Sequence, residues 1–141
     1  MLPKKITYTD YDGVVRTETF YFNMTEAELT MYQLERSGGM KQHLEKIVEG
    51  LDQPKILDIF RDIIHRSYGE KSEDGRRFIK SNELSTAFEQ TEAYSVLVME
   101  LLSDEKAASD FINGLMPASL REKAAAATAN GNANLLGSTQ G

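Results

Sequence analysis

Large apolar residues alternate with polar ones from Lys4 to Phe22, and Asp12-Gly13 breaks the alternation near its middle. A period of two predicts strands. Asp-Gly supplies the positive φ values of a type I′ turn, so the segment predicts a β-hairpin with a two-residue loop. That loop sets Tyr11 opposite Val14, Tyr8 opposite Thr17 and Ile6 opposite Thr19. Ile6, Tyr8, Val15 and Tyr21 then share one face, with Tyr11, Val14, Phe20 and Phe22 on the other. Both faces carry large apolar groups. A two-stranded hairpin is marginal alone, so this one requires cover from the rest of the chain or from another subunit.

Beyond the hairpin the period changes to that of helices. Thr25 and Glu28 stand at N-cap and N3 of a capping box, with Met24 and Leu29 placed for a hydrophobic staple. Ala27, Met31 and Leu34 extend the stripe, and Gly38-Gly39 ends it. A second helix over Met40–Leu51 aligns Met40, Leu44, Ile47, Val48 and Leu51. Asp52 caps a third, with Pro54 tolerated in the first turn. Its stripe is Ile56, Phe60, Ile63 and Ile64, with Asp58, Arg61, Asp62 and His65 mainly outside, and Gly69 reads as its C′ glycine. Glu70–Lys80 reads as a polar connection turning at Asp74-Gly75 and drawn back by Phe78 and Ile79.

Ser81 caps a short helix carrying Leu84 and Phe88. Thr91 starts the next, whose Tyr94, Leu97, Val98, Leu101 and Leu102 form the most hydrophobic face in the chain. Ser103 or Asp104 opens a last helix with Ala107, Ala108, Phe111, Ile112 and Leu115 inward, and Gly114 and Pro117 mark its end. From Ala118 the chain turns to Ala, Asn and Gly with little to bury, which predicts a flexible end. The expected organisation is an N-terminal β-hairpin (1–23), a helical body (24–117) and a flexible tail (118–141). The fold class is read as mainly α.

At 141 residues the chain is of single-domain length. The longest apolar runs, Val96–Met99 and Ala124–Ala127, fall far short of the roughly 20 residues that cross a bilayer, so no membrane partner is expected. No apolar signal segment follows Met1-Leu2-Pro3-Lys4-Lys5, which argues against export. The absence of cysteine excludes disulfides, a thiolate nucleophile and Cys-based zinc sites. A net charge of −6 argues against nucleic acid, because phosphate binding needs a concentrated basic surface.

Candidate chemistry is sparse. Asp10 and Asp12 with Gly13 resemble part of a calcium loop, but that loop needs an oxygen ligand at Tyr8 and a glutamate at Thr19. Turn chemistry accounts for them better. His43 and His65 have no further histidine or cysteine at ligand spacing, so both read as solvated surface histidines rather than as metal ligands. Arg76-Arg77 before Phe78 would suit RNA, but Glu70, Glu73 and Asp74 offset the charge. The better reading is a solvated turn with Phe78 as an anchor. No catalytic residues, cofactor or metal are assigned. The aromatic hairpin is the exception to these bland readings, since open strand edges template pairing with another chain. Ile6, Tyr8, Tyr11, Val14, Phe20 and Phe22 are therefore the candidates for self-association.

The order of segments is more telling than any single residue. The aromatic hairpin leads into Phe22-Asn23-Met24-Thr25-Glu26-Ala27-Glu28-Leu29, and Ile63-Ile64 through Tyr68-Gly69 precede Ser72-Glu73-Asp74-Gly75-Arg76-Arg77-Phe78-Ile79-Lys80. Phe88, Thr91-Glu92-Ala93-Tyr94 and Phe111-Ile112-Asn113-Gly114-Leu115-Met116-Pro117 follow. Over about residues 4–117 this resembles the tail assembly chaperones of long-tailed phages of Gram-positive hosts. The resemblance implies a non-enzymatic role: coating the tape measure protein and keeping it soluble until major tail subunits polymerise around it. It implies a homo-oligomer working in the host cytoplasm and missing from the mature virion. It also implies a short form, paired with a longer product of ribosomal frameshifting that diverges in the tail. Multivalent contacts and an acidic charge are compatible with that role. The alternatives are a virion subunit, such as a head–tail connector or tail-completion protein, and a small enzyme or regulatory domain.

Overall fold

The computed structural model describes residues 1–35 and 53–116. In chain order the elements are β1 (Leu2–Thr9), β2 (Val15–Phe22), α1 (Glu26–Glu35), α2 (Gln53–Ser67), β3 (Tyr68–Lys71), β4 (Phe78–Ile79), α3 (Asn82–Glu89), α4 (Glu92–Ser103) and α5 (Glu105–Leu115). The strands make one antiparallel sheet in the order β1-β2-β3-β4. The expectation of a mainly α fold is thereby corrected: among the described residues five helices stand beside a four-stranded sheet, a mixed α/β architecture. The segment read as a polar connection is itself a hairpin. Its turn does lie at Asp74-Gly75, with Gly75 at φ 75° and the Asp74 carboxylate accepting from Arg76 N and Ser72 Oγ.

The first hairpin differs from expectation by one residue of register. Thr9 faces Val15, Tyr8 faces Arg16 and Ile6 faces Glu18. The loop is a three-residue one: Asp10 N donates to Val14 O, Gly13 N donates to Asp10 O, and Gly13 takes a positive φ. Asp10 selects it by accepting through one carboxylate oxygen from both Asp12 N and Val14 N, while Arg16 holds the other. A slip of one residue exchanges faces. Ile6, Tyr8, Phe20 and Phe22 consequently share one side with Leu2, and Thr7, Thr9, Val15, Thr17, Thr19 and Tyr21 share the other. The first side enters the core and the second is exposed.

The core lies between the inner sheet face and α1–α5. Phe88 is its hub: its ring stacks on Tyr68 at 4.5 Å and meets Phe20 at 5.0 Å, Phe22 at 5.7 Å and Tyr94 at 5.8 Å. Phe22 continues the cluster to Phe111 at 5.3 Å. Such tilted and offset aromatic pairs add to the gain from burial alone. Behind them Ile56, Phe60, Ile63 and Ile64 of α2 are buried as expected, joined by Ile59.

The helix starts follow the caps. Thr25 N donates to Glu28 Oε1 and Glu28 N to Thr25 Oγ1, closing the capping box, and Met24 and Leu29 are both buried. Ser81, Thr91 and Asp104 cap α3, α4 and α5. The remainder of the α1 stripe is corrected: Leu29 and Tyr32 point inward, whereas Ala27, Met31 and Leu34 are exposed. Gly69 is not a C′ residue, because β3 follows α2 directly. Gly114 lies inside α5, where a side chain would collide with Leu2. The expected Gly38-Gly39 stop, the Met40–Leu51 helix, the Asp52 cap and the tail from Ala118 lie outside the described residues.

Candidate functional site

Four of the six residues singled out for self-association belong to the chain's own core. Ile6 and Phe22 are buried, and Tyr8 and Phe20 are half-buried against the helices. Tyr8 also donates through its hydroxyl to Glu18 across the hairpin. Tyr11 and Val14 stand at the loop tip, 77% and 49% exposed, beside exposed Val15. Tyr11 touches the body through one hydrogen bond, to Glu92 at 3.1 Å.

The same hairpin carries an incomplete edge. β2 pairs with β3 only at Tyr21 and Phe22. Because Asp10 and Val14 form a hydrogen-bonded pair, the even residues of β2 direct their backbone groups at β1. The N–H and C=O groups of Val15, Thr17 and Thr19 therefore point to the other side, where no described strand pairs with them. Their side chains lie on the exposed sheet face with Thr7, whose hydroxyl meets that of Thr17 at 2.9 Å.

A second exposed apolar feature lies on α4. Ala93, Leu97 and Leu101 bury one side of this helix, while Val96 and Met99 on the far side are 42% and 60% exposed. Val98 and Leu102 between them are half-buried. A helix apolar on both sides either sits deep in a core or offers a face for contact. That pattern is present in the sequence and marks Val96 and Met99, which the hairpin-centred expectation missed.

The polar clusters are structural. The His65 Nδ1 lies 2.8 Å from Glu89 Oε2 and its Nε2 3.1 Å from Asn82 Oδ1. The Glu89 hydrogen bond, then the Asn82 one, raise the imidazole pKa above its ordinary value of 6.5. His65 is thus half-exposed but engaged, clamping α2 to α3, rather than simply solvated. Ser85 Oγ donates to the His65 carbonyl and not to its ring, so the cluster contains no hydroxyl activated by the imidazole. His43 lies outside the described residues. Arg76 and Arg77 are exposed at the β3–β4 turn and Phe78 is half-buried, as a turn with an anchor requires. Among the described residues there is no group of three His, Cys, Asp or Glu able to hold a metal, and no helix is long and apolar enough to cross a membrane.

What the described surface offers is contact: a strand edge that no described strand covers, an apolar loop tip and an apolar helix face. A protein-family model described as phage tail assembly chaperone matches residues 1–139. No match was found among curated proteins or among solved structures.

Proposed function

Within the phage tail assembly chaperones, the family to which this chain belongs, we propose that it self-associates and binds the tape measure protein, keeping that protein soluble while the tail is built. The match over nearly the whole chain carries this reading. The contact surfaces support it, because shielding a long apolar client calls for many weak contacts that later release. Self-association uses the hairpin tip, Tyr11, Val14 and Val15, and the edge of β2 that no described strand covers. Ile6, Tyr8, Phe20 and Phe22 serve it indirectly by seating the hairpin on the body. The chain acts in the host cytoplasm and leaves before the virion is complete. It is the shorter product of a frameshifted pair, whose longer form and the major tail protein are further partners.

Co-production with the tape measure protein of the same phage tests the central claim. Soluble tape measure protein in complex with this chain is expected, and insolubility with and without the chain would sink the reading. Light scattering tests self-association, with Tyr11→Asp and Val14→Asp lowering the mass of the wild-type oligomer. Mass spectrometry of purified particles separates a chaperone from a virion subunit. A slippery heptamer in the codons of the tail, followed by an overlapping frame, tests the frameshift.

A further inference from the structure

We propose that the outer face of α4, centred on Val96 and Met99, docks an amphipathic helix of the client through that helix's apolar stripe and flanking lysine or arginine side chains. This rests on the chaperone reading above and assigns it a surface. Residues 92, 96, 99, 100 and 103 follow the i, i+4, i+7, i+8, i+11 spacing of a single helix face, about a third of a turn round from the Ala93, Leu97 and Leu101 row that enters the core. Val96 therefore lies between Glu92 and Glu100, with Met99 one turn along. Methionine is unbranched and polarizable, which suits a surface that accepts many related segments.

Charge decides between the possible occupants. α4 contains no lysine or arginine, and Asp104 and Glu105 extend its acidic rim at the C-terminal end. The neighbouring Lys106 is paired with Asp110, and Lys4 with Glu100 from the β1 side. Packing α4 against α4 of a second copy would bring two acidic rims together without a cation on either helix. A basic amphipathic helix instead matches both the stripe and the rim. Glu100 already meets Lys4, and Glu92 accepts from the Tyr11 hydroxyl. Both carboxylates are exposed, so a client cation shares them with those partners, and the attraction, screened by salt, contributes orientation more than affinity.

The test uses the full chain co-produced with the tape measure protein. Val96→Asp with Met99→Asp should lower the amount of complex about tenfold or more, the effect of removing the centre of an interface. Met99→Glu alone, at the more exposed position, should lower it less and leave thermal unfolding unchanged. Glu92→Gln with Glu100→Gln, which keep side chains able to accept from Tyr11 and Lys4, should weaken the complex and reduce its salt sensitivity. If wild-type chain and variants hold the tape measure protein equally, the α4 face is wrong and the chaperone reading stands. A loss of oligomer mass with client binding intact makes the occupant a second copy and overturns the proposal. If the wild type holds no tape measure protein, both readings fall together.

Discussion

The Lys80 ammonium lies 2.8 Å from Glu28 Oε2, so the residue after β4 closes the capping box of α1 from more than fifty positions away. The same Nζ donates to Asn23 O at 2.7 Å and Arg66 O at 2.9 Å. One half-buried cation thus ties the end of β2, the start of α1 and the last turn of α2. Lys80→Met removes the charge, takes this donor from two carbonyls and leaves the Glu28 carboxylate with Thr25 N but no cation. Unfolding in urea should show a loss of about 2 to 3 kcal/mol, since a group left unsatisfied costs more than an average hydrogen bond contributes. Burial alone would raise the Glu28 pKa, but the hydrogen bonds from Lys80 and Thr25 N outweigh it and hold it below 4.5. The contribution is therefore present above pH 4.5 and is lost as pH falls through the lower folded value. Glu28→Gln keeps a side chain able to close the box, so it should cost less and flatten the acid limb.

Local signals in the sequence were legible where side chain and backbone meet within a turn of helix. Thr25 with Glu28, Ser81, Thr91 and Asp104 all cap as expected, because capping depends on residues two or three apart. Lys80 escaped notice because its partners come from three distant segments. β3 and β4 escaped because strands of four and two residues, one of them reading Tyr-Gly-Glu-Lys, are too short and polar for alternation to show. The candidate contact surface was legible only in part: Tyr11 and Val14 are exposed, but the register that turns Ile6, Tyr8, Phe20 and Phe22 toward the helices comes with a three-residue loop closed around the Asp10 carboxylate.

Gly69 and Gly75 make a contrast that mutation can read. A Cβ on Gly69 would lie 2.5 Å from both Ile79 O and the Phe78 ring, and the first of these is backbone that cannot swing aside. Gly69→Ala should therefore separate β3 from β4 and cost about 2 to 4 kcal/mol in denaturant unfolding, within the range of overpacking and strain. Gly75 has open space around it but a φ of 75°, so Gly75→Ala should cost only about 1 to 2 kcal/mol. Equal losses at the two sites would contradict the crowding at Gly69.

His65 should give the chain a weak dependence on pH near neutrality. Its folded pKa is raised by Glu89 and Asn82, so the stabilisation is complete below 6.5 and fades as pH rises through the folded value. The ring is more than a third exposed, which keeps the effect small. NMR titration should place the His65 midpoint above 6.5, and Glu89→Gln should move it back toward 6.5. An unchanged midpoint in that variant would assign the shift to another cause.

The hairpin loop offers a prediction about register. Removing Tyr11 leaves Asp12-Gly13 as a two-residue loop between the same closing pair, Asp10 and Val14. Asp-Gly suits the type I′ turn of such a loop. The core fixes which faces point inward, so the shortened hairpin should keep Ile6 opposite Glu18 and Tyr8 opposite Arg16. Close Hα–Hα contacts between Thr7 and Thr17 and between Lys5 and Thr19 should appear in NOE spectra of both proteins, since these are the non-hydrogen-bonded pairs. Stability should fall by about 1 kcal/mol or less, because the Tyr11 hydroxyl contact with Glu92 is exposed. Contacts from Tyr8 to Thr17 and from Ile6 to Thr19 would instead mean a slipped strand. That slip would turn Phe20 away from the helices and expose the ring that now packs on Phe88.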